Sequence, residues 1–149
     1  MLVTRSRAVW ALSVGDFLLV AEAAVLLGLV WIGLSTLPFP TLSRLLNHCC
    51  GRSGRGPRSS RAPLGRVTWA VTAAGRRLSV VGTCVVEALA ADAMLRRRGY
   101  ACELRFGVQP PGDGSTALRA HAWIEHRGVV VLGEVENLPD YAAMSRSGP

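Results

Sequence analysis

The sequence predicts an α+β fold, with helices first and a small antiparallel sheet after them. Three observations carry that expectation. Apolar residues recur at helical spacing up to about residue 98, the period drops to two after Gly99, and Gly/Pro-rich breaks separate the segments. Half of the 149 residues are apolar, enough to close one compact domain.

Residues 13–36 read as the first helix. Ser13 is suited to its N-cap and Asp16 to its first turn, where negative charge favours the helix dipole; Pro38 and Pro40 end it. A second helix is expected over 41–49, with Leu42, Leu45 and Leu46 on one face. Residues 51–60 are mostly Gly, Arg, Ser and Pro, the composition of a flexible loop. A third helix spans 64–80, carrying Val67, Ala70, Val71 and Ala74, with Arg76 and Arg77 near its end. The fourth spans 84–98, capped by Thr83 and stopped by Arg96, Arg97 and Arg98 followed by Gly99. Strands follow at 101–108, 118–125 and 129–132, with a loop at 109–116 and a tight turn at His126, Arg127 and Gly128. The chain thus divides into an N-terminal hydrophobic helical region (1–50), a loop (51–66) and a core (67–149), within one compact unit.

The net charge is +7, and all of its basic residues are arginine. Together with abundant Ala, Gly and Val, that usage reflects GC-rich coding. Few aromatics flank the arginine-rich loop, so no nucleic-acid partner is expected. Of the four cysteines, the adjacent Cys49 and Cys50 suit no mutual disulfide, which points to a reducing, cytoplasmic setting. His48, Cys49 and Cys50 lack a second spaced pair to complete a metal site, and Gly107, Gly112 and Gly114 form no phosphate-binding fingerprint. No metal or cofactor is expected. The apolar run from Phe17 to Leu34 is long enough to span a bilayer, but it contains Glu22 and follows Asp16. The leading reading is a buried or groove-binding helix. Membrane-surface contact through residues 17–34 is the alternative, and a cleaved signal led by Arg5 and Arg7 comes third.

The chemistry concentrates on Cys84, His121 and Glu134. A cysteine at a helix N-terminus feels the positive end of the helix dipole, which favours thiolate over thiol. A histidine on a later strand can take and return that proton, and an acid beyond it can orient the imidazole. Trp123 shares the strand face of His121 and is placed to roof it. A hairpin turning at 126–128 returns Glu134 alongside about residue 120, with Glu136 and Asp140 as fallback acids. The plain alternatives are a buried apolar cysteine, a structural histidine and an exposed acid at a strand end. His126, placed in the turn, is discounted as the base, and Cys102 is assigned to the core.

The stretch from Cys84 through Leu95-Arg96-Arg97-Arg98-Gly99-Tyr100-Ala101, Leu104-Arg105-Phe106-Gly107-Val108, Ala120-His121-Ala122-Trp123-Ile124-Glu125 and Gly128-Val129-Val130-Val131-Leu132-Gly133 resembles the transglutaminase-like leader peptidases of lasso-peptide biosynthesis. The Leu-rich N-terminal helix followed by Leu37-Pro38-Phe39 is similar as well. The resemblance implies a transglutaminase/papain-like fold and a cysteine protease that cuts the leader from a ribosomally made precursor peptide. A lasso cyclase then closes the new N-terminus onto an acidic side chain. It maps Cys84 to the nucleophile and His121 to the base. The third member is usually Asp in that family, and Glu134 is the nearest match here. The chain leaves no room for a winged-helix recognition unit, which implies a separate leader-recognition protein. A transamidase using the same Cys/His pair, and a non-catalytic membrane-associated scaffold, are the competing readings.

Overall fold

The computed structural model describes residues 13–50, 62–78, 84–110, 119–136 and 138–144. The expected Thr83 cap, the arginine-rich loop at 51–60, the last residues of the third helix and most of the 109–116 loop lie outside those residues. The order is α1 (Val14–Thr36), α2 (Phe39–Cys50), α3 (Leu64–Arg77), α4 (Cys84–Arg97), β1 (Glu103–Gln109), β2 (Arg119–His126), β3 (Val129–Leu132), a 3-10 turn (Leu138–Asp140) and β4 (Ala142–Met144).

Helix α1 begins with a reciprocal capping box. The Asp16 amide donates to the Ser13 hydroxyl at 3.2 Å, and the Ser13 amide donates to the Asp16 carboxylate at 3.0 Å. Arg66 of α3 pairs with the same carboxylate, tying the two helices at their N-terminal ends. The Arg66 guanidinium, and then the Ser13 amide, hold the Asp16 carboxyl below the usual carboxylate range. A depressed folded-state value means a contribution complete above about pH 5 and lost as pH falls through that value. Asp16→Asn should therefore lower Tm at neutral pH, with the gap from wild type closing as pH drops below 3.8, measured by thermal melts across pH.

Helix α1 is apolar all round, yet it is part of the domain. Leu19, Ala23, Leu27 and Val30 are buried in the same cluster as Val67, Val71, Leu89 and Met94. Glu22, which the sequence sets against a membrane span, pairs with Arg97, the last residue of α4, at 3.2 Å and with Arg98, just beyond it, at 2.6 Å. Its outward face stays apolar, with Val14, Phe17, Leu18, Val25, Leu29 and Ile32 exposed. Among the described residues, α1 is the one helix long and apolar enough to cross a membrane. Helix α2 starts at Phe39 rather than the expected Thr41, since Pro40 falls in the first turn, where a missing N–H costs nothing.

Helix α4 ends in a Schellman motif. The Tyr100 amide reaches the Leu95 carbonyl at 3.0 Å, the Gly99 amide reaches Arg96 at 2.8 Å, and Gly99 takes φ +76°. Four antiparallel strands follow in the order β3-β2-β1-β4, one more than the sequence suggests. β1 and β2 pair from Glu103↔Glu125 to Gln109↔Arg119. Leu104, Ala122 and Ile124 point one way and join the core cluster with α4. Arg105, Gly107, His121, Trp123 and Glu125 take the other face. The β2–β3 turn puts Arg127 and Gly128 both at positive φ, the geometry of a two-residue hairpin.

Candidate active site

Cys84 is the first residue of α4, half-buried and packed against the core. The first turn of a helix leaves backbone N–H groups without intrahelical partners, which suits it to an anion. One turn along lies Glu87, which the sequence reading did not single out. Burial pushes its carboxyl up, against an opposing pull from Arg76. Its signal in the sequence is the spacing of three from Cys84, which places both on one helix face.

His121 lies near the start of β2 and is held on three sides. Its ring stacks on Trp123 at 6.2 Å between centroids and 18° between planes. Tyr141 leans on it at 5.6 Å and 49°. Its Nε2 lies 2.6 Å from the Gly133 carbonyl oxygen. The Trp123 indole in turn donates to Glu125 at 2.9 Å. Gly107, directly across from His121, leaves the space these rings need: a Cβ there would meet Trp123 Cζ3 at 2.7 Å and Tyr141 Cβ at 2.8 Å.

The oxygen on the imidazole is thus the carbonyl of residue 133. The Glu134 carboxylate is exposed and makes no hydrogen bond among the described residues. It lines an open cleft of about 660 Å³ together with Trp123, Glu125, Glu136 and Leu138. Glu136 and Asp140, the fallback acids, are also exposed. The cleft gathers three carboxylates beside the imidazole's roof in a chain whose net charge is +7. Helix α4 packs on the face of β1 and β2 that carries Leu104, Ala122 and Ile124, whereas His121 and Trp123 project from the opposite face, and Cys84 does not line the cleft. Among the described residues no hydrogen bond joins the Cys84 and His121 side chains. Catalytic hydrogen bonds are often formed only when substrate is bound.

A second cysteine–histidine pair does come into contact. Cys102 Sγ lies 3.8 Å from His126 Nδ1, because the β1–β2 register sets residue 102 beside residue 126. That pair is unsuited to nucleophilic work. Burial, and then the Asp92 charge, push the Cys102 thiol up to about 11, and His126 Nδ1 is committed to the Ala101 carbonyl at 2.7 Å. Cys49 is exposed near the end of α2 beside His48, and the described residues contain no cluster of three metal-ligating side chains.

The family model described as the transglutaminase-like superfamily matches residues 33–146. The chain belongs to that superfamily. No curated protein and no solved structure matches it. Transglutaminase-like proteins are typically cysteine proteases or transglutaminases, which directs attention to a cysteine that forms an acyl-enzyme. The transglutaminase-like match begins in the last turn of α1 and includes α2, α3, α4 and all four strands. Most of α1 therefore precedes the matched region while sharing its core.

Proposed function

We propose that this transglutaminase-like chain is a cysteine peptidase that removes the leader from a ribosomally made lasso-peptide precursor. It works with a separate leader-recognition protein and passes its product to a lasso cyclase. What supports the reading is the transglutaminase-like match over a chain in which Cys84 begins a helix and His121 is held in place by Trp123, Tyr141 and the Gly133 carbonyl. The Cys84 sulfur attacks the carbonyl carbon of the last leader residue, and its proton passes to His121. The N–H groups at the start of α4 stabilise the resulting oxyanion. His121 then protonates the departing amine, and water resolves the thioester to the leader acid and free thiol. Glu134, next to the carbonyl that holds His121, adds negative charge that steadies the imidazolium. Resolution by an amine instead of water would make the same site a transamidase.

The site belongs in a reducing compartment, the cytoplasm, where a lone nucleophilic thiol persists. The uncharged outward face of α1 supplies a surface for the recognition protein or for the membrane. A non-catalytic scaffold is the reading favoured by the missing Cys84–His121 hydrogen bond. Alkylation of the cysteines, mapped by peptide mass spectrometry, separates the two. Under the peptidase reading Cys84 labels at least tenfold faster than Cys102 at pH 7, and His121→Ala slows Cys84 alone. Equal rates for Cys84 and Cys102, with or without a precursor and recognition protein, would leave the scaffold.

A further inference from the structure

We infer that the Gly133 backbone carbonyl, not a carboxylate, orients His121 and fixes its tautomer, leaving Nδ1 as the ring atom that exchanges the proton with Cys84. The inference rests on the peptidase reading for the second half of that statement and on geometry alone for the first.

A carbonyl oxygen can only accept. At 2.6 Å from Nε2 it therefore requires the proton on Nε2, and the neutral ring keeps its lone pair on Nδ1. The stacked Trp123 and the tilted Tyr141 leave the ring plane little freedom to seek another acceptor. The carbonyl is aimed by the backbone. β3 ends at Leu132, which pairs with Ile124, and Gly133 then turns out of the ladder at φ +84°. Its carbonyl is released from strand pairing at the residue that lies beside the imidazole.

Only glycine permits that turn. A Cβ at residue 133 would sit 2.8 Å from the Ala122 carbonyl oxygen and 3.0 Å from Trp123 Cα and Cβ, and the positive φ would strain any other residue. Gly133 is thus a positioning residue that acts through His121. In the catalytic cycle the bond persists: when Nδ1 takes the thiol proton, the carbonyl still accepts from Nε2 and stabilises the cation, as a carboxylate would do in its place.

The test is the imidazole nitrogen spectrum of the 15N-histidine-labelled full chain at a pH where the histidines are neutral. His126 supplies an internal contrast, because its Nδ1 faces the Ala101 carbonyl and must carry the proton. The expected spectrum shows His121 locked with the proton on Nε2 and His126 with the proton on Nδ1, the signals assigned from His48→Gln and His126→Gln variants. A His121 averaging between tautomers, or protonated on Nδ1, overturns the inference. Kinetics supply the second readout. Gly133→Ala should lower kcat about 10²-fold with little change in KM, and should release the His121 tautomer. Glu134→Gln should leave the tautomer fixed and lower kcat only a few-fold. The reverse pattern, with Glu134→Gln freeing the ring, would hand the role to the carboxylate. The wild-type spectrum stands whether or not Gly133→Ala folds. A locked tautomer in a chain that cleaves no precursor would retain the lock and remove the peptidase reading, whereas averaging in an active chain does the opposite.

Discussion

Cys84→Ala is expected to abolish precursor cleavage while leaving the fold intact. Under the proposed mechanism the substitution removes the sulfur that forms the acyl-enzyme, so the loss in kcat should be roughly 10⁴-fold or more. Cys84 is half-buried and makes no hydrogen bond among the described residues, so Tm should move little. Paired cleavage assays and thermal melts check both halves. Cys102→Ala is the matching control: it removes a buried thiol with no catalytic part and should lower Tm without touching turnover. Cleavage that survives Cys84→Ala but not Cys102→Ala would move the chemistry to the Cys102–His126 pair.

Leu27→Ala should be the more damaging change to stability. Leu27 is fully buried on α1 amid side chains of α3 and α4. Truncating it should cost about 3 kcal/mol. For a chain of this size that is a fall in Tm of roughly 10 °C. Leu29, two positions along and 59% exposed, should change stability by no more than about 0.5 kcal/mol when truncated. A Leu27→Ala protein that melts like the wild type would mean that α1 is an appendage, dispensable to the domain that follows it.

Elements with local marks were legible in the sequence. Ser13 and Asp16 announced the start of α1, Gly99 the end of α4, and Arg127-Gly128 the hairpin, because each is a short-range requirement of the backbone. β4 was not legible. Its three residues are too few to show a period, and its place is decided by the free edge of β1. The partners of Glu22 were not legible for the same reason: one residue's charge says nothing of the arginines that meet it from 75 and 76 positions away.

The site divides along similar lines. The stacking of Trp123 on His121 followed from a spacing of two on one strand. The contact between Cys102 and His126 depends on cross-strand register, which no local pattern discloses. The carbonyl on His121 is harder still to foresee, since a backbone acceptor has no residue type. Its one mark is the glycine that lets the chain turn there.

The Glu22 bridge has a mechanical consequence. It clamps the far end of α4, whose opposite end is Cys84. Fourteen residues of helix make a rigid rod of about 20 Å. A swing of ~3° about the clamped end carries the sulfur through ~1 Å, a displacement on which reaction rates can turn by about 10². Because α4 is buried along most of its length, a load on the outer surface of α1 reaches the thiol through the packed core as well as through this bridge.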